Sequence, residues 1–283
     1  MATIRVGVGG WTFAPWRGTF YPKNLVQARE LEYASRKLTS IEINGTFYGS
    51  QKPASFRRWR EETPEDFVFS VKGPRFATHR RELSGAGESI GRFFASGVLE
   101  LGEKLGPVLW QFPGTKRFEP EDFANFLNLL PANLEGRRIR HVVEVSHASF
   151  AVPAFVELLR EHGVALALID SADRPQAFDL TADFVYARLR RSTEEEPAGY
   201  GKSALDRWAE RFRTWAAGGE PDDLPRIHAK SAPAGKAREC FVYFISGAKV
   251  RAPAAAQALI ERLARSPSPH KRGEGRGEGQ RDK

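Results

Sequence analysis

Short runs of β-branched and aromatic residues recur along this chain, and between them apolar residues return every three or four positions. The strand-like runs fall at 4–9, 40–44, 67–72, 108–112, 141–145, 164–170, 184–189 and 241–246. The helix-like stretches fall at 25–38, 55–62, 89–104, 120–130, 153–162, 204–217 and 253–264, with Phe123, Phe126, Leu127 and Leu130 showing the spacing. Strict alternation of strand and helix predicts a parallel sheet covered by helices. Eight repeats predict closure into a barrel rather than an open, doubly wound sheet. The expected fold is therefore α/β, a single (β/α)8 TIM-barrel-like domain over residues 1–265. Two segments stand outside the pattern. Residues 218–239 hold three prolines and mixed charge, which predicts a long mobile connection or a lid. Residues 266–283 are poor in apolar side chains and rich in Gly, Pro and charge, so they are expected to be a disordered tail.

Composition narrows the class only a little. The chain has 283 residues, 41% hydrophobic and 28% charged. No apolar run approaches the ~20 residues that a membrane span needs. The first ten residues lack the regions of a signal peptide, so a cytoplasmic protein without membrane partners is expected, its oligomeric state open. The lone cysteine, Cys240, opens an apolar run and is expected to pack as a small hydrophobe. The formal charge is +8, and from Arg265 onward six Lys or Arg face three acids, so about +5 belongs to the body. A mildly basic body keeps nucleic acid in view as a partner.

Side chains alternate faces along a strand, so in Ile41, Glu42, Ile43 and Asn44 the apolar pair meets the helices and the polar pair meets the barrel axis. The same alternation puts Lys72, Gln111, Glu144, Asp170 and Arg188 near the C-terminal ends of their strands, where a barrel assembles its site. Charges that converge on an apolar cup are costly unless they pair, bind a metal or meet a charged substrate. One reading is purely structural, with Lys72 buried between Glu42 and Glu144. The other is a functional site, since Asp170, Arg188, His79 and His147 add more polar groups than one network needs. Without metal, Lys72 serves as a charge stabiliser or a Schiff-base nucleophile, and a carboxylate as general acid. Glu42, Glu144, His147 and Asp170 together would suit a divalent metal.

Aromatic residues crowd the first two loops: Trp11, Phe13, Trp16, Phe20 and Tyr21, then Phe47 and Tyr48. They either stack on a sugar or base or close the barrel end as packing. Gly7, Gly9 and Gly10 lack the spacing and the following helix of a dinucleotide fingerprint. Arginines cluster at 57, 58 and 60 and at 137, 138 and 140, which read as solvated faces. Those at 75, 80 and 81 and at 188, 190 and 191 follow the third and seventh strands, on the site face, where they suit phosphate.

Several stretches resemble the domain of unknown function 72 family, also called YecE-like. They are Gly9-Gly10-Trp11 with Trp16, Gly18, Phe20, Tyr21 and Pro22; Glu42-Ile43-Asn44 followed by Thr46-Phe47-Tyr48; Val71-Lys72 with Thr78-His79; Lys104 to Leu109 leading to Gln111 and Pro113; and Glu144 with His147 and Ser149. The resemblance implies a TIM-barrel-like fold and no particular reaction. It supports Trp11, Glu42, Asn44, Thr46, Tyr48, Lys72, His79, Gln111, Glu144, His147, Asp170 and Arg188 as site-face positions. Glu42, Lys72, Glu144 and Asp170 are the candidates for chemistry and the others for substrate. The chain departs from the family pattern at Ser146 (usually Arg), Phe150 (usually Trp), Arg190-Arg191 (usually His-Gly) and Ile245-Ser246-Gly247 (usually Asn-Asn-Asp), as a divergent member would. Three functions stay open: an enzyme for a small phosphorylated or sugar-like substrate, a nucleic-acid-binding protein or metal-dependent nuclease, and a non-catalytic ligand-binding or scaffold barrel.

Overall fold

The protein is described by a computed structural model covering residues 2–172, 177–230 and 236–265. The expected tail at 266–283 and part of the 218–239 connection lie outside these residues.

Eight parallel strands close into a barrel in chain order, each hydrogen-bonded to the next and the last to the first. They are β1 (Ile4–Gly9), β2 (Ser40–Ile43), β3 (Val68–Lys72), β4 (Leu105–Gln111), β5 (His141–Glu144), β6 (Ala165–Asp170), β7 (Phe184–Leu189) and β8 (Glu239–Phe244). The expected (β/α)8 fold is what forms. All eight strand-like runs are strands, with no end displaced by more than three residues.

The helical layer is less regular than the sequence pattern implies. Residues 25–38 form only a 3₁₀ turn and α1 (Glu30–Ser35). The stretch expected at 89–104 divides into a helix (Gly87–Ala95) and a separate 3₁₀ segment, because Gly97 and Gly102 adopt left-handed φ of 99° and 59°. Two one-turn helices that periodicity does not reveal, α2 (Gly45–Tyr48) and α3 (Arg75–Thr78 at the mouth after β3), begin directly beyond β2 and β3. Between β6 and β7 the described residues form no helix. Residues 177–183 there have no regular secondary structure, with Phe178 and Leu180 buried in the core.

The described parts of the 218–239 connection are tied down rather than free. The backbone N–H groups of Ile227 and His228 donate to Asp179 at 2.8 and 2.9 Å, and Arg238 donates to the Gly219 carbonyl. No feature of these residues places them over the barrel mouth, so the expectation of a lid finds no support there.

Two apolar cores result. The larger lies between strands and helices and includes Cys240, buried as expected. The smaller fills the barrel itself, with Val68, Leu109, Val142, Ala167, Ile169 and Phe241. Above that plug sits a polar layer: Ser40 and Ser70 each share a 2.8 Å hydrogen bond with Tyr243 and Tyr186, respectively. Gly7 lets β1 lie close against the β2 backbone, since a methyl group there would lie 1.9 Å from the Ser40 carbonyl oxygen. The plug closes the N-terminal side and leaves the C-terminal mouth as the open end.

Candidate functional site

At that mouth, inward-facing side chains of β2, β5 and β7 form one buried cluster. Arg188 donates to Glu42 Oε1 at 2.9 Å and, through its other terminal nitrogen, to Glu144 Oε2. Tyr186 donates its hydroxyl to Glu42 Oε2 at 2.6 Å, and Gln111 donates to Glu144 Oε1 at 2.8 Å. Arg190 adds a longer contact, 3.7 Å, to the same Glu144 oxygen. Burial opposes the charge on Arg188, but Glu144 and Glu42 outweigh it and hold the guanidinium protonated. Burial, with Glu42 beside it, drives the Tyr186 hydroxyl far above its usual range, so it remains a donor.

This corrects the structural reading in one respect. The cation between Glu42 and Glu144 is Arg188, not Lys72. The fork of a guanidinium spans two carboxylates from different strands, which a point-charge ammonium does not.

Lys72 ends β3 on the same inner face, 6% exposed, with Nζ 3.9 Å from the centre of the Phe47 ring. Nζ makes no hydrogen bond or ion pair with any described residue. Its pKa is lowered to about 8: burial is the main cause, Arg188 and Arg190 push the same way, and Glu42 and Glu144 only partly offset them.

Over this floor opens a cavity of about 770 Å³. Lys72, Gln111, Arg188, Asn44 and Arg190 form its polar side, and Lys249 joins them from beyond β8. Trp11, Tyr48 and Trp59 form an aromatic side, with Trp11 and Trp59 edge to face at 5.1 Å. Four cations line the space and, among the described residues, no carboxylate does. The two nearest acids, Glu42 and Glu144, lie beneath, held by Arg188. The cavity is electropositive and half aromatic, which suits an anion carried on a sugar-like or other ring-bearing frame.

The remaining predicted site residues scatter. Thr46 is buried and donates to the Lys72 carbonyl at 2.6 Å, so it fastens α2 to the end of β3. His79 stands edge-on to Phe47, on another groove, its pKa lowered by burial and by Arg75 and Lys72. His147 turns away from the cavity, and its Nδ1 accepts from the backbone N–H of Ser149, capping the turn after β5.

Asp170 is the clearest miss. Ile169 pairs with Arg188 across β6 and β7 and shares its inner face, so Asp170, one residue on, points outward. There it accepts from Tyr200 at 3.1 Å in a separate pocket with Arg191, Arg207 and Arg211, its pKa raised chiefly by burial. Glu42, Glu144, His147 and Asp170 are therefore not one ligand set, and the described residues contain no group of three potential metal ligands.

Sequence reasoning passed over Trp59, Gln51, Ser246 and Lys249 as lining residues. Ser246 adopts a left-handed φ of 59°, unusual for a non-glycine residue, at the point where the chain turns off β8. Lys249 lies 4.4 Å over the Phe13 ring while its carbonyl accepts from Trp16. The aromatic cluster after β1 thus packs the barrel end and also positions a cation at the cavity.

Comparison with known proteins agrees with this architecture. The family described as "Protein of unknown function DUF72" matches residues 5–276. UPF0759 protein YecE of Escherichia coli is 27% identical over 176 residues, which is 59% of this chain and 59% of that protein, so the match spans about three fifths of the relative's length. Among solved structures, a DUF72 family protein from Thermotoga maritima superposes with a TM-score of 0.69 at 23% identity, over 92% of this chain and 99% of that one. One from Enterococcus faecalis V583 gives 0.68 at 18% identity, over 94% and 99%. No helix among the described residues is long and apolar enough to cross a membrane.

Proposed function

The chain belongs to the DUF72 family, and from the geometry of its mouth we propose that it is an enzyme acting on a small phosphorylated or carboxylated, sugar-like compound. The observation that carries this reading is the cavity lining: Lys72, Arg188, Arg190 and Lys249 around one space with both nearby carboxylates withdrawn below it. Arg190 and Lys249 hold the anionic group, Trp11, Tyr48 and Trp59 take the apolar face of the frame, and Asn44 and Gln111 take hydroxyls. Lys72 is the reacting group, because it changes protonation near neutral pH and is not spent on a neighbour. A buried lysine without a counter-ion lowers stability, and such a cost is characteristic of functional sites.

Thermal unfolding in the presence of sugar phosphates, sugar acids and the matching neutral sugars tests the assignment. A ligand at ~100 times its Kd stabilises by about 2.7 kcal/mol. Anionic compounds are expected to raise the melting temperature and neutral ones not, with the shift lost in Arg190→Gln and Lys249→Gln. Equal shifts with neutral sugars, or shifts indifferent to both substitutions, would refute the reading.

A second reading, nucleic-acid binding, draws on a different feature. Tyr48 and Phe76 are 67% and 58% exposed, and a groove near Phe76 is lined by Arg80, Arg81, Lys116 and Arg117 together with Glu82, Glu119 and Asp122. Exposed rings with adjacent cations suit single-stranded nucleic acid. Binding to a short oligonucleotide would then weaken linearly with log salt, and Arg81→Gln would lower the slope by about 1. A flat salt dependence eliminates it.

A further inference from the structure

Buried and half-buried charges on the strands of this barrel have polar partners among the described residues. Arg188 serves Glu42 and Glu144, Glu239 lies between Arg5 and Arg140, and Asp170 takes the hydroxyl of Tyr200. Lys72 differs: it lines the cavity, its Nζ lies over the Phe47 ring, and among the described residues it has no hydrogen bond or ion pair. If Lys72 served only to attract an anion, arginine would do so with more hydrogen bonds and without losing charge near neutral pH. A buried amine at a cavity wall, bonded to no carboxylate among the described residues and flanked by other cations, is instead the arrangement that makes a lysine nucleophilic.

We propose that Lys72 forms an imine with the carbonyl carbon of a small anionic aldehyde or ketone whose charged end is held by Arg190 and Lys249. This rests on the reading of the cavity as an anion-binding site and names the substrate class within it. In the first step the neutral amine of Lys72 adds to the carbonyl carbon, the carbonyl oxygen gains a proton and the nitrogen loses one, giving a carbinolamine. The carbinolamine hydroxyl then takes a proton from solvent and leaves as water while the nitrogen lone pair forms the C=N bond, so the positive charge of that proton ends on the iminium nitrogen. No oxidant or reductant is needed. The iminium draws electrons from the neighbouring carbon, so a proton there is more readily lost, and addition of water restores the amine and a carbonyl. Arg188 and Arg190 from β7 and beyond disfavour the ammonium, Glu42 and Glu144 partly oppose them, and His79 faces Phe47 from the other side. Amine reactivity is accordingly expected to rise with a midpoint near pH 8.

Pyridoxal 5′-phosphate serves as the probe, because it is an anionic aldehyde whose imine becomes permanent on borohydride reduction. Full-length protein is incubated with it, reduced, digested and mapped by mass spectrometry. The expected result is loading at Lys72 at concentrations at least tenfold below those needed with pyridoxal, competition by inorganic phosphate, and loss of that adduct in Lys72→Arg. In Lys249→Gln the adduct at Lys72 should persist, but the advantage of the phosphorylated aldehyde should shrink, which keeps the test informative if Lys72→Arg folds poorly. Labelling spread over other lysines, with the same stoichiometry in Lys72→Arg, overturns imine formation. If phosphate still raises the melting temperature in that case, the anion site survives. If phosphate neither protects nor competes, both fall together.

Discussion

The arginine at the centre of the polar layer makes a sharp energetic prediction. Arg188→Met removes the cation that joins Glu42 to Glu144 while keeping roughly the same length of side chain. Both carboxylates are fully buried and, in the variant, lose a charge-assisted partner together. Breaking a buried pair by removing one partner costs about 3–5 kcal/mol, because the remaining charge stays desolvated. For a domain of this size, ~1 kcal/mol corresponds to roughly 2–4 °C in melting temperature, so a fall of roughly 6–20 °C is expected. Calorimetry and urea unfolding measure it. The informative comparison is Arg188→Met combined with Glu42→Gln and Glu144→Gln, which removes the guanidinium and both of its carboxylates. That variant should recover about 1–2 kcal/mol over the single substitution, since an uncharged buried cluster avoids the desolvation penalty. A single variant within ~1 kcal/mol of wild type, or a triple variant worse than the single, would refute the idea that Arg188 is there to neutralise these two acids.

Lys72→Met should stabilise the fold at pH 7 by an amount on the order of 1–3 kcal/mol, because it removes an ammonium that burial disfavours. With the folded pKa near 8 and the unfolded value near 10.5, the unfolded state binds more protons between them. Wild-type stability therefore rises with pH across that window, and the advantage of the variant should vanish above it; urea titrations at pH 7, 9 and 11 check this. At the opposite end of the barrel, Glu239 accepts from Arg5 at 2.7 Å and Arg140 at 2.5 Å. Burial pushes its pKa up, but the two arginines prevail and lower it. Glu239→Gln should cost ~1–3 kcal/mol at pH 7, with the difference shrinking as acid protonates the wild-type carboxylate; equal losses at pH 7 and pH 3 would contradict the assignment. Asp170→Asn should leave phosphate affinity in the main cavity within about twofold of wild type, since the residue faces the outer layer; a tenfold loss by calorimetric titration would show that Asp170 reaches the site after all.

Much of the fold was legible because it is written in local periodicities. Short β-branched and aromatic runs located all eight strands, and alternation correctly turned Glu42, Lys72, Gln111, Glu144 and Arg188 toward the axis. It failed at Asp170 for a definite reason. The run from Ala165 to Ile169 is apolar on both faces, so nothing in it marks which side is inner, and only the pairing of Ile169 with Arg188 decides. Helix lengths were overread where Gly97 and Gly102 break a continuous apolar pattern. Who pairs with whom across the mouth was not legible at all. The choice of Arg188 over Lys72, the turning of His147 into a cap and the arrival of Trp59 and Lys249 at the cavity depend on how far each strand is staggered against its neighbours and where each loop folds back. Those are distances between residues remote in the chain, and a sequence specifies them only through the packing of the whole barrel.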